Sequence, residues 1–138
     1  MIGILLVTHT PLSAAFLAAV THVFKAPPVN VRALDVKADQ DPYEVNELAA
    51  QALQEIDDGD GVLILTDICG ATPANCAQRL VTLRVNTMLL YGVNLPMLLR
   101  ALNYRHLPLA QVTQKAIEGG RNGIEGYAQQ DNVPHSGA

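Results

Sequence analysis

Two side chains suited to phosphoryl or proton chemistry stand where apolar runs end: His9, after residues 2–7, and Asp67, after residues 62–66. An imidazole whose one ring nitrogen donates to a carboxylate has its tautomer fixed and its other nitrogen's lone pair aimed outward. That second nitrogen is a nucleophile toward phosphorus, and the carboxylate stabilises the positive charge that develops on the ring. Asp67 also opens the segment Asp67-Ile68-Cys69-Gly70-Ala71-Thr72-Pro73-Ala74-Asn75, which combines a strand end, a tight turn and a helix start. Thr72 reads as the N-cap and Pro73 as the first helical residue, which leaves orphan backbone N–H groups facing the strand end. Gly70 permits the close backbone approach that an anion needs. A helix start favours a nearby negative group by about 0.3–1 kcal/mol. That is enough to hold a phosphoryl oxygen and too little to drive a reaction. The turn has neither the spacing nor the lysine of a Walker A loop, and it is not the dinucleotide pattern G-x-G-x-x-G.

Other polar and sulfur-bearing residues suggest no chemistry of their own. Cys69 and Cys76 match no C-x-x-C spacing and have no His/Asp cluster around them, so they read as small apolar fillers, with Cys69 near the site. No metal and no cofactor is expected. His22 and His106 read as surface or capping residues, and His135 as a solvated residue near the chain end. The run Met97-Leu98-Leu99 reads as helix core, although Met97 and Leu98 are also candidates for an apolar partner surface beside the site. Asn94 and Pro96 follow a strand end and shape its loop.

The elements that must position His9 and Asp67 follow from an alternation of apolar runs and helical periodicities. Residues 2–7 form a continuous apolar strand, of the kind buried on both faces in a parallel sheet. After Pro11, Leu12, Phe16, Leu17, Val20, Val23 and Phe24 recur at helical spacing until Pro27-Pro28. A second strand spans 29–36. Asp41-Pro42-Tyr43-Glu44 is a helix start, with Asp41 as cap and Glu44 at capping-box spacing. The helix it opens carries Val45, Leu48, Ala49, Ala52, Leu53 and Ile56 as a stripe and ends at residues 57–61. A third strand at 62–66 precedes a helix that ends near Leu83, and a fourth strand at 87–91 leads into Gly92-Val93-Asn94. Helices are expected at 95–103 and 109–118, the latter stopped by Gly119-Gly120, and residues 123–127 read as a last short strand. The polar stretch 129–138 is expected to be a mobile tail.

Strands alternating with helices imply an α/β fold, a mainly parallel β-sheet with helices on both faces. In such sheets ligands collect outside the carboxyl ends of the strands. His9, Asp67 and Gly92-Val93-Asn94 are therefore gathered from distant parts of the chain onto one edge. Length and composition agree with one domain: 138 residues, 49% hydrophobic and 16% charged. A formal charge of -4, with no Lys/Arg cluster and no tryptophan, argues against nucleic acid as a partner. The apolar opening ends at Thr8-His9, too soon for a signal peptide, and no apolar stretch approaches the roughly 20 residues that span a bilayer. A cytoplasmic protein is expected, with no direct membrane insertion.

Three segments together resemble a known family: Thr8-His9 at the end of the first strand, Asp67 to Asn75, and Gly92-Val93-Asn94-Leu95-Pro96-Met97-Leu98. In order and spacing they are similar to the mannose-type enzyme IIA of the bacterial sugar phosphotransferase system (PTS, mannose/fructose/sorbose family), over the chain up to about Tyr127. The resemblance implies a phosphotransferase acting through a phosphohistidine. His9 would carry the phosphoryl group, Asp67 would orient it, and Gly70, Ala71 and Thr72 would lie around it. It implies HPr as donor, and as acceptor a separate IIB protein or a regulatory target. It also implies a homodimer that exchanges one C-terminal antiparallel strand, for which residues 123–127 are the candidate. On this basis residues 1–128 form the IIA domain. Pro11-Leu12-Ser13 stands where family members often carry glycine, a departure in the loop after His9. Two alternatives remain at this point: a phosphotransfer subunit for dihydroxyacetone kinase, and a non-catalytic module that binds an anion or partner at the same edge. A response-regulator receiver fits less well, since its first strand should end in metal-binding acidic residues.

Overall fold

A computed structural model of the chain describes residues 1–129, and the tail expected at 129–138 lies almost wholly outside the described residues. The described residues form nine elements, strand and helix alternating until two consecutive helices close the series: β1 (Gly3–His9), α1 (Leu12–Phe24), β2 (Val31–Val36), α2 (Pro42–Ile56), β3 (Val62–Leu65), α3 (Thr72–Leu83), β4 (Thr87–Leu90), α4 (Leu95–Tyr104) and α5 (Leu109–Asn122). The strands form one all-parallel sheet in the order β2-β1-β3-β4. β1 is central, and its residues Gly3 to Thr8 are all buried. Its alternation explains the layering. Ile4 and Leu6 join Leu63 and Leu65 in a core with Phe16, Val20, Leu98 and Val112. Leu5 and Val7 join Val62 and Ile64 in a core with Val45, Leu53, Ala77 and Leu80 on the other face. So α1, α4 and α5 cover one face, and α2 and α3 the other.

That division fixes where a site can form. The chain leaves β1 toward one face through α1 and leaves its neighbour β3 toward the other through α3. A crevice opens between the carboxyl ends of two adjacent strands whose connections diverge in this way. β1 extends further than its apolar run, because Thr8 and His9 stay in register with Asp35 and Val36 of β2. His9 is therefore a strand residue at the lip of the crevice.

Local details depart from expectation for identifiable reasons. α1 stops at Phe24, before the two prolines, because Lys25 adopts a left-handed conformation (φ 62°). α5 runs through Gly119 and Gly120 to Asn122. Glycine in a helix costs roughly 0.5–1 kcal/mol relative to alanine, but here it permits a close approach to α4. A Cβ on Gly119 would stand 2.5 Å from Arg100 Cβ, and one on Gly123 2.4 Å from Pro96 Cγ. Residues 123–127 form no strand within this single chain.

Candidate functional site

The first turns of the helices that start at the carboxyl edge shape the surroundings of His9. α2 is capped by its own Asp41, whose carboxylate accepts from Tyr43 N, and α4 by Asn94, whose Oδ1 accepts from Met97 N at 2.9 Å. Asn94 Nδ2 also donates to Gly120 O at 3.1 Å, tying the end of α5 to the start of α4. α1 begins at Pro11, which offers no side-chain cap. Its Ser13 and Ala14 N–H groups donate instead to Asp35 of β2. At α3 the N-cap is Ala71 rather than Thr72, Thr72 being the first helical residue, and no side chain caps this helix. Ala71 takes the cap position because it is the residue with extended backbone (φ -104°, ψ 171°) immediately before the helical turn. α3 is thus the one helix at this edge whose first turn has no side-chain acceptor among the described residues.

At the crevice itself, His9 Nδ1 lies 2.7 Å from Asp67 Oδ2. The same oxygen accepts the His9 backbone N–H at 3.1 Å, so one carboxylate oxygen fixes both the ring and the backbone that carries it. Asp67 Oδ1 accepts from Ile68 N at 3.0 Å. The Asp67 side chain is 11% exposed and the His9 side chain 45%. Burial pushes the Asp67 carboxyl group up, but hydrogen bonds from the His9 ring, the His9 N–H and the Ile68 N–H outweigh it and hold the group below its ordinary value. An ionised Asp67 accepts only, so His9 Nδ1 is the donor. Nε2 keeps its lone pair and makes no hydrogen bond to the described residues.

The sequence-derived site residues divide into two sets. His9 and Asp67 touch. Gly70, Ala71 and Thr72 follow Asp67 on the rim, with Gly70 at φ +87°, a conformation that side chains disfavour. No hydrogen bond joins these three to His9. Thr72 lies on a shallow cavity of about 300 Å³ with Asn46, Asn75 and Arg79.

Other expectations resolve individually. Met97 and Leu98 are buried at 6% and 1% exposure, so they belong to the core and cannot supply a partner surface. They pack in the core against Ile4, Leu6 and Leu65 on the α1/α4/α5 face of the sheet. Ile68, 58% exposed and next to Asp67, and Leu12, exposed just after His9, are apolar residues available there. Cys76 is buried, and burial pushes its thiol up to about 11, which makes it inert. Cys69 is exposed on the turn rather than packed. His22 and His106 are exposed, and His135 lies outside the described residues. No group of three or more His, Cys, Asp or Glu among the described residues could hold a metal, and no described helix is long and apolar enough to cross a membrane.

Sequence reading assigned no role in holding this edge to three of its residues, Thr8, Ser13 and Asp35. Thr8 and Ser13 are fully buried with their hydroxyls 2.7 Å apart, and Asp35 holds the first turn of α1. A helix that starts at a proline with no oxygen-bearing cap was the available signal, since its N–H groups need an acceptor from elsewhere.

Comparison with known proteins now adds to this geometry. The model of the family described as EIIA-man, PTS system fructose IIA component, matches residues 3–117. The PTS system mannose-specific EIIAB component of Escherichia coli (strain K12) is 35% identical over 75 residues, which are 53% of this chain and 23% of that protein. The same protein of Shigella flexneri matches to the same extent. The chain thus spans about a quarter of the length of these relatives. Among solved structures, the phosphotransferase system component EIIA from Streptococcus agalactiae superposes with a TM-score of 0.79 at 26% identity, covering 90% of this chain and 95% of that one. The mannose/sorbose specific IIA subunit from Enterococcus faecalis gives 0.83 at 18% identity, over 94% and 97%, a likeness of fold.

Proposed function

The chain belongs to the EIIA-man family of phosphotransferase-system IIA components, and on that premise we propose that His9 Nε2 accepts a phosphoryl group from phospho-HPr and passes it on. Components of this family are phosphotransferases. The observation that carries the assignment is the 2.7 Å contact between His9 Nδ1 and Asp67 Oδ2, which leaves Nε2 unengaged on a half-exposed ring. In the transfer, the Nε2 lone pair attacks phosphorus as the donor's P–N bond breaks. The Nδ1 proton stays where it is, and the ring gains positive charge that the Asp67 carboxylate offsets. Onward transfer reverses these roles, with the acceptor's nucleophile attacking phosphorus and Nε2 leaving.

Gly70, Ala71 and Thr72 are the phosphoryl-binding turn in this reading. Its support is that α3, alone among the helices starting at this edge, has first-turn N–H groups with no side-chain acceptor among the described residues. The acceptor is a separate IIB protein or a regulatory target. Residues 1–128 serve as the IIA domain, working in the cytoplasm. The homodimer is part of the same proposal: β4 is an edge strand, and beside it lies a cavity of about 370 Å³ lined by Leu89, Tyr91, Ile117 and Ile124. Tyr127 beyond it is almost fully exposed, so a strand from a second copy would find both backbone partners and apolar cover.

The test is incubation with phospho-HPr and mapping of the modified residue. Acid-labile, base-stable phosphate on His9, absent in His9→Ala, is expected. Labelling of His9→Ala as strong as that of the parent would overturn the assignment.

A further inference from the structure

The turn that presents His9 is held by a second carboxylate, on the strand next to it. α1 starts at Pro11, which has no side-chain oxygen, so the N–H groups of Ser13 and Ala14 find no acceptor in their own segment. Asp35 supplies it across the β1–β2 register: Oδ1 accepts from Ser13 N at 2.8 Å and Oδ2 from Ala14 N at 3.2 Å. Thr8 stands opposite Asp35 in that register. Its hydroxyl lies 2.7 Å from Ser13 Oγ and 3.4 Å from Asp35 Oδ1. Ser13 Oγ donates to Leu34 O at 3.0 Å, and a hydroxyl has one proton, so Ser13 accepts from Thr8. Both hydroxyls are fully buried and have no water to fall back on.

The six residues from Thr8 to Ser13 are therefore clamped at both ends by one network. Between the ends, His9 N is held by Asp67 and Thr10 N by Val36 O at 3.1 Å. We propose that Asp35 is a positioning residue for His9, clamping the start of α1 to β2, with Thr8 and Ser13 as intermediaries, so that the ring stays on Asp67 with Nε2 outward. This rests on the reading of His9 as the phosphoryl acceptor. Without Asp35 the exit of the turn is released, and the contact with Asp67 must hold the ring unaided. Small displacements of a nucleophile are costly in rate even when the fold persists.

The experiment compares single-turnover labelling by saturating phospho-HPr in the parent, Asp35→Ala, Asp35→Asn and Asp41→Ala. Denaturant midpoints and the His9 tautomer, read by long-range 1H–15N NMR, are measured on each. Asp35→Ala should slow labelling about 10- to 100-fold per folded molecule and reduce the Nδ1–H form of His9. Asp35→Asn, which keeps one acceptor oxygen, should recover part of that rate. Asp41→Ala removes the cap of α2 and should lower the denaturation midpoint while labelling at the parent rate. If Asp35→Ala does not fold, Ser13→Ala carries the test, with an expected slowing of about 3- to 10-fold. Parent-like labelling per folded molecule in Asp35→Ala, or in Ser13→Ala where Asp35→Ala does not fold, overturns the positioning role. Phosphate on a residue other than His9 in the parent overturns the relay reading instead, and the two failures are distinguishable.

Discussion

The two ends of the sheet handle charge in opposite ways. At the amino end, Arg105 is buried at 7% exposure, and its guanidinium donates to Ile2 O from Nε at 3.1 Å and Nη2 at 2.8 Å. It also donates to Asn30 O at 3.0 Å and Val29 O at 2.5 Å. Ile2 N returns a bond to Arg105 O, so the starts of β1 and β2 are locked to the end of α4. At the carboxyl end, Asp67 is similarly enclosed, but the group it holds keeps one ring nitrogen unspent and half in solvent. A charged group satisfied wholly by backbone gives stability alone. One that fixes a partner while leaving that partner's reactive atom open makes a site.

Substitutions at the two ends should separate these roles. The largest effect is expected from His9→Ala, which should abolish labelling by phospho-HPr and leave the thermal midpoint within a few degrees of the parent. Next comes Arg105→Met at the opposite end, which removes the guanidinium donors to the carbonyls of Ile2, Val29 and Asn30, of which Asn30 O keeps its bond from Ile4 N. It should cost about 3 kcal/mol of stability, read from urea unfolding, while folded protein labels at the parent rate. A labelling defect in folded Arg105→Met would collapse the distinction between the ends. Asp67→Ala should do the converse, slowing labelling about 100-fold, near 2.7 kcal/mol in the barrier, with a much smaller loss of stability. If folding and labelling fall together, Asp67 is a structural residue like Arg105.

The smallest effect is a pH dependence at the carboxyl end. Burial raises the Asp67 carboxyl group, but the His9 and Ile68 hydrogen bonds lower it further, so its folded value lies below its unfolded one. Between those values the unfolded chain binds more protons, and stability rises with pH. The contribution is complete above the ordinary carboxylate range and is lost as pH falls through the folded value. Urea midpoints followed over roughly pH 2 to 5 should show a steeper slope in the parent than in Asp67→Asn. Equal slopes would mean that the contact with His9 does not favour the ionised form.

Much of this molecule was legible in local patterns. The apolar run before His9, the stripe from Val45 to Ile56 and the start at Asp41-Pro42 each reflect periodicity or capping chemistry confined to neighbouring residues, and each formed as read except that Leu48 of the stripe is exposed. The departures lie where a distant partner outweighs a local preference. Gly119 and Gly120 read as a stop, yet the helix continues through them, and at Gly119 α4 packs too closely for a side chain. Met97 and Leu98 read as helix core but were also candidates for a partner surface, and only the seating of α4 on the sheet removed the second reading.

His9 and Asp67 were found from sequence because strand ends can be recognised locally and a parallel sheet brings them to one edge. The sequence by itself also determined the family, since three short segments in fixed order carry the resemblance. What only the tertiary structure decided is how His9 is held. The two bonds to one oxygen of Asp67 and the capping of α1 by Asp35 depend on the register of β1 against its neighbours. Register is a property of paired strands, and no single segment of the chain contains it.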